Sequence, residues 1–108
     1  MFVSFDVEEY LGYDTKTNKY RWRCKIVDTE FEEVGITSGR ELGVAISVAV
    51  IDTYSTRGLP IVPNLIRALQ WFGSRYSYSL EQLIAWQKQY NPKFKQYEQE
   101  IERYLILL

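Results

Sequence analysis

Two alternating runs joined by turn residues constrain this chain most. In the first, Val3, Phe5 and Val7 alternate with Ser4, Asp6 and Glu8; in the second, Tyr20, Trp22, Cys24 and Ile26 alternate with Arg21, Arg23 and Lys25. A period of two sends successive side chains to opposite faces, so both runs read as strands with one buried face. Residues 12–18 between them (Gly-Tyr-Asp-Thr-Lys-Thr-Asn) are turn chemistry. Antiparallel pairing must unite like faces. That sets Val7 near Cys24 and Phe5 near Ile26, with Asp6 and Glu8 against Arg23 and Lys25 on the other face. A third, weaker strand is expected around residues 30–34.

Beyond residue 36 the pattern changes. Ser38 followed by Glu41 is a capping box, and residues 40–57 read as a helix that ends at Gly58, with Pro60 just beyond. Its apolar residues run nearly all round, which implies a largely buried helix. The β-branched stretch 44–51 also suits a strand; the caps and the length favour a helix. Pro63 suits a first helical position, in a helix running to Phe72 and stopping at Gly73. Residues 74–79 then read as a polar loop bearing tyrosines. Ser79 with Gln82 starts another helix ending near Tyr90. Asn91 as N-cap and Pro92 at the first position start a last one. That last helix carries Phe94, Tyr97, Ile101, Tyr104 and Leu108, a narrow 3-4-3-4 seam.

The expected fold class is therefore α+β: an N-terminal antiparallel β-hairpin or three-stranded sheet packed with a long buried helix and C-terminal helices. Residues 1–108 form a single domain, β-rich over 1–36 and mainly helical over 37–108. The expected core joins Val3, Phe5, Val7, Trp22, Cys24 and Ile26 to Leu42, Ile46, Val50, Leu65, Leu69, Leu83, Ile84, Phe94, Tyr97 and Ile101.

Composition narrows the function. The chain is 46% apolar and 25% charged, the balance of an ordinary globular protein. Its net charge of −1 gives no bulk positive field to attract nucleic acid or anionic lipid. It has no histidine, which removes the commonest general base and the commonest transition-metal ligand. Its single cysteine, Cys24, falls on the apolar strand face and reads as a buried structural thiol. Asp6, Glu8 and Glu9 interrupt any leader-like apolar stretch, and the longest apolar run, residues 43–51, is far shorter than the roughly 20 residues that span a bilayer. These features lead us to expect a cytoplasmic location, no membrane association, no metal, no cofactor and no enzymatic activity.

Several constellations test that expectation. Asp6 and Glu8, at i and i+2 on one strand face, are spaced to hold a divalent cation. The stretch 3–8 looks like the first motif of the DEDD exonucleases. That family needs further acids late in the chain, however, and the last aspartate here is Asp52. Tyr20 and Trp22 alternate with Arg21, Arg23 and Lys25, so rings and cations part to opposite faces and cannot jointly grip a single strand. Residues 63–72 and 79–90 have the order of a helix-turn-helix, with a connection longer than three or four residues and only Lys88 as a cation on the second helix. The stretch 75–78 is the best candidate for partner binding, through Arg75, Tyr76 and Tyr78, because Tyr and Arg are enriched at interface hot spots. The terminal stretch 104–108 is apolar on every side. It must pack into the core or be covered by a partner, and core packing is favoured.

The stretch Gly35-Ile36-Thr37-Ser38-Gly39-Arg40-Glu41-Leu42-Gly43-Val44-Ala45, a helix, and then Gly58-Leu59-Pro60-Ile61-Val62-Pro63 give residues 1–63 a loose likeness. They resemble the HicB-like antitoxin domain. The resemblance implies the order strand, strand, strand, helix, strand. It also implies neutralisation of a small toxic RNase and DNA binding through a C-terminal module. Gly43 and Val44 stand where that family carries an acidic pair.

The leading functional expectation is a small non-catalytic protein-interaction module, an inhibitor or adaptor of the kind that viral or accessory genes encode. It would bind a protein partner or associate with itself. One alternative is a HicB-like antitoxin or another nucleic-acid-binding protein. A second is a small-molecule-binding or enzymatic pocket using Asp6, Glu8 or Asp52.

Overall fold

A computed structural model describes residues 5–26 and 29–107, with the side chains of residues 14–23, 25, 26 and 30–107. Three antiparallel strands come first: β1 (Phe5–Asp14), β2 (Lys19–Ile26) and β3 (Thr29–Ile36), in the order β1-β2-β3. Helices follow: α1 (Gly39–Thr56), α2 (Val62–Tyr76), α3 (Leu80–Tyr90) and α4 (Glu98–Leu107), with a 3-10 turn at Lys95–Tyr97 before α4. This is the expected α+β class, with the three-stranded form of the sheet. The molecule is elongated, 44 × 28 × 23 Å.

The strand register follows from the alternation. Phe5 pairs with Ile26, Asp6 with Lys25 and Val7 with Cys24, as expected. The register then shifts between Val7 and Glu9, so Arg23 stands opposite Glu9 and Glu8 sits in the bulge. A second shift between Tyr10 and Gly12 lets β1 run on to Asp14. Gly12 and Tyr13 are thus strand, and the turn is residues 15–18. There the Asp14 carboxylate accepts the Lys16 N–H at 2.9 Å. On the other edge of β2, Lys25 pairs with Glu30 and Arg23 with Glu32, while Arg21 forms an ion pair with Glu32. The charges of β2 therefore meet acids from β3 as well as β1.

Residues 43–51 are helix. Ser38 Oγ accepts the Glu41 N–H at 3.2 Å, and the Glu41 carboxylate accepts the Thr37 N–H at 2.8 Å. The first of these bonds satisfies a donor that the opening turn of α1 cannot pair internally, and the second ties down the chain just before it. One side of α1 lies against β2 and β3, the other against α2 and α3. Of the expected core, Ile26, Leu42, Ile46, Val50, Leu65, Leu69, Leu83, Phe94 and Ile101 are buried. Trp22, Ile84 and Tyr97 are half-buried at its margin. Val3 lies outside the described residues, as do the side chains of Phe5, Val7 and Cys24. Ile51, Tyr54, Ile66 and Phe72 join the core as well, because α1 and α2 are covered on more than one side.

Two helix boundaries differ from expectation. Helix α2 does not stop at Gly73 but continues to Tyr76, ending where Ser77 adopts a left-handed φ of 65°. The chain then folds back over Gly73. The Tyr78 N–H bonds the Gly73 carbonyl at 3.0 Å, and a Cβ at Gly73 would stand 2.4 Å from the Tyr78 carbonyl oxygen. The glycine is there for close approach, not for termination. At the other boundary, Asn91 caps no helix that starts at Pro92. Its side chain accepts the Lys93 N–H and donates to Gln87 Oε1, each at 3.0 Å, which folds residues 91–94 into a turn. The strand that the antitoxin resemblance implies after the first helix is not formed either: the chain passes from α1 into α2.

Candidate functional site

Arg75, Tyr76 and Tyr78 do not form an exposed loop. Arg75 and Tyr76 belong to the last turn of α2, and residues 77–79 alone connect α2 to α3. Arg75 is exposed. Tyr76 turns inward, edge-on to Trp22 at 5.5 Å and tilted against Phe72 at 4.8 Å, which ties α2 to the sheet. Its hydroxyl is buried with no hydrogen-bond partner among the described residues, and burial raises its pKa above the ordinary tyrosine value, with Arg75 pulling the other way. Tyr78 stacks on Phe72 at 5.9 Å and meets Trp86 edge-on at 4.9 Å. The tyrosines thus knit β2, α2 and α3 together, for the reason that rings are enriched at interfaces: large area on a stiff side chain.

The same rings border a cleft of about 330 Å³ between the sheet and the start of α1, lined among others by Tyr20, Trp22, Ser38, Gly39, Phe72 and Tyr78. Its size falls within the range of small-ligand pockets. Its chemistry is limited. Among the described residues, no carboxylate, thiol, lysine or arginine lines it. Ser38 Oγ is engaged as the cap of α1, and the described lining offers no base to activate it as a nucleophile.

The acids singled out from the sequence are dispersed. Asp52 is exposed on α1 and forms an ion pair with Lys93. Asp6 stands opposite Lys25 in the register and Glu8 occupies the bulge, their side chains lying outside those described. Among the described residues no group of three or more His, Cys, Asp or Glu could hold a metal ion.

A wide apolar feature lies on the helical side. A groove of about 460 Å³ runs between α3 and α4, lined by Leu80, Glu81, Ile84, Ala85, Lys88 and Leu105. Helix α3 buries Leu83 and Gln87 in the core, and Leu80 and Ile84, four apart, lie half-buried at its margin, where they also line the groove. Helix α4 buries Ile101 on one side. The two residues after Leu105 stand free of the core: Ile106 is 82% exposed and Leu107 85%. Core packing of the terminal apolar stretch therefore holds in part for Tyr104 and Leu105, and fails for Ile106 and Leu107. A ten-residue helix docked on α2 through one side cannot also turn its far side inward. Sequence reasoning missed this groove because it counted Ile84 as core and favoured core packing over a partner's cover for the terminal stretch.

The three-residue connection 77–79 has the length of a helix-turn-helix turn, shorter than expected because α2 continues past Gly73. The outward side of α3 nevertheless carries one cation, Lys88, beside Glu81. No helix among the described residues is long and apolar enough to cross a membrane. Comparison with family models, with curated proteins and with solved structures finds no match to this chain.

Proposed function

We propose that this chain is a non-catalytic protein-interaction module that docks through the α3–α4 face. The observation that carries the reading is the apolar groove of about 460 Å³ whose wall residue Leu105 leads directly into exposed Ile106 and Leu107. Scattered single apolar residues on a surface need no explanation, but an apolar groove, with two strongly exposed aliphatic side chains following its wall residue on the same helix, suits a surface that a partner covers. Glu81 and Lys88 give it a polar margin, the anatomy of an interface with an apolar centre. The aromatic contacts of Tyr76 and Tyr78 support this reading indirectly, since they hold α2, α3 and the sheet in one rigid arrangement behind the face.

A photo-cross-linking amino acid placed at position 85, in the groove, tests this in cells that produce the protein. Position 70, exposed on α2, serves as the control. Discrete adducts from position 85 and none from position 70 are expected. Equal adducts from both, or none from position 85, would overturn the reading.

A further inference from the structure

The α3 face is complementary to itself. Glu81, Ile84, Ala85 and Lys88 lie at i, i+3, i+4 and i+7, so they share one side of the helix, and all four line the groove. The acid stands in the first turn and the cation in the last. Laying a second α3 antiparallel on the first, about a two-fold axis between positions 84 and 85, has a specific consequence. Each Glu81 meets the other copy's Lys88, and each Ile84 meets the other copy's Ala85. A parallel pairing would instead set Glu81 on Glu81 and Lys88 on Lys88. The small Ala85 at the centre lets the helix axes approach, while Leu80 and Leu105 supply apolar flanks.

From this charge and shape complementarity we infer that the α3–α4 face binds a second copy of this chain as a two-fold, isologous dimer. The inference rests on the docking role proposed above and names the occupant. Two helices of three turns make a small contact, so the dimer is reversible, with a dissociation constant on the order of micromolar or weaker.

Sedimentation of the full chain across a concentration series tests this. The wild type is expected to shift from one to two copies. Glu81→Lys alone and Lys88→Glu alone should each weaken the dimer by about tenfold, because each homodimer then sets like charges together at two places. A mixture of the two single variants should recover wild-type strength as a heterodimer, since position 81 of each copy then faces an opposite charge at position 88 of the other. In a parallel contact, by contrast, positions 81 and 88 already face like charges in the wild type, so neither single reversal would weaken the pairing and the mixture would exceed the wild type. Unchanged melting of each variant shows that the fold is intact, and Ala85→Arg should abolish the dimer without altering the fold. A wild type that stays monomeric, a dimer indifferent to both reversals, or a mixture no stronger than its components overturns the inference. A monomeric wild type that still cross-links from position 85 to a different protein sinks the self-association and keeps the docking role. A monomer without cross-links sinks both.

Discussion

The Tyr78 hydroxyl occupies the space that a side chain on Gly39 would need: a Cβ there would come within 2.2 Å of Tyr78 Oη. Gly39 opens α1 and Tyr78 joins α2 to α3, so this contact seats the connection of the helical hairpin against the start of the long helix. Gly39→Ala should destabilise the fold by roughly 1–3 kcal/mol, through displacement of a ring that is also stacked on Phe72. In a Tyr78→Phe background the penalty should shrink, because the atom nearest the new methyl is gone. Urea titration of the two single variants and the double variant measures the coupling. Additive losses would mean that the two residues do not touch.

Gly73 makes a harder version of the same contact. The obstructing atom is the backbone oxygen of Tyr78, 2.4 Å from a Cβ, and it cannot move without unseating the Ser77 turn. Gly73→Ala should therefore cost about 2–3 kcal/mol or more, and no change at Tyr78 should rescue it. Ser77→Gly should gain up to about 1 kcal/mol by relieving a left-handed backbone in a residue with a Cβ. A neutral Gly73→Ala in a thermal melt would contradict the fold-back.

Those two glycines show where reading the sequence succeeds and where it stops. Period two placed Phe5 opposite Ile26 and Val7 opposite Cys24, because alternation requires the apolar faces to unite and the opposite charges of the other face favour this register. The Ser38–Glu41 pair placed the start of α1, because capping is local chemistry. Bulges are not local. Glu8 lost its expected partner Arg23 to Glu9 when one residue looped out of the ladder, and nothing in the alternation marks that residue. Gly73 reads as a stop because glycine ends many helices, yet here the Tyr78 carbonyl, brought back by the adjoining loop, needs the empty side. The α3–α4 groove was missed for a related reason. A helix with apolar residues on two stripes does not say which stripe the rest of the chain covers, and α3 buries Leu83 while leaving Ile84 at the edge.

Ile101 anchors α4. It is 2% exposed, and Ile101→Ala should cost roughly 2–5 kcal/mol through lost burial and a residual cavity. Denaturant unfolding checks this; a loss below about 0.5 kcal/mol, the range of an ordinary surface substitution, would mean that α4 is not docked.

Glu41 makes stability depend on pH. The Thr37 backbone N–H, followed by the Thr37 side chain, holds its carboxyl below the ordinary glutamate range. A group whose folded pKa is depressed stabilises the fold above its unfolded pKa, and that stabilisation is lost as pH falls through the folded value. Glu41→Gln should therefore lower stability by about 0.5 kcal/mol near pH 7, a figure kept small by solvent screening, and the gap should be smaller at about pH 3. Melting curves at the two pH values measure the difference. A constant gap between them would place the effect elsewhere.

On the proposed reading the exposed end of α4 serves association and not folding. The most direct measurement pairs the melting temperature with the association of the wild type and an Ile106→Glu/Leu107→Glu variant, read as self-association and as adducts from position 85. Residues 82% and 85% exposed contribute little to the core, so the variant should melt within a degree or two of the wild type while its association is lost. Retained association would contradict an associative role for the end of α4, and so would a melting temperature that collapses, since these two side chains would then belong to the core.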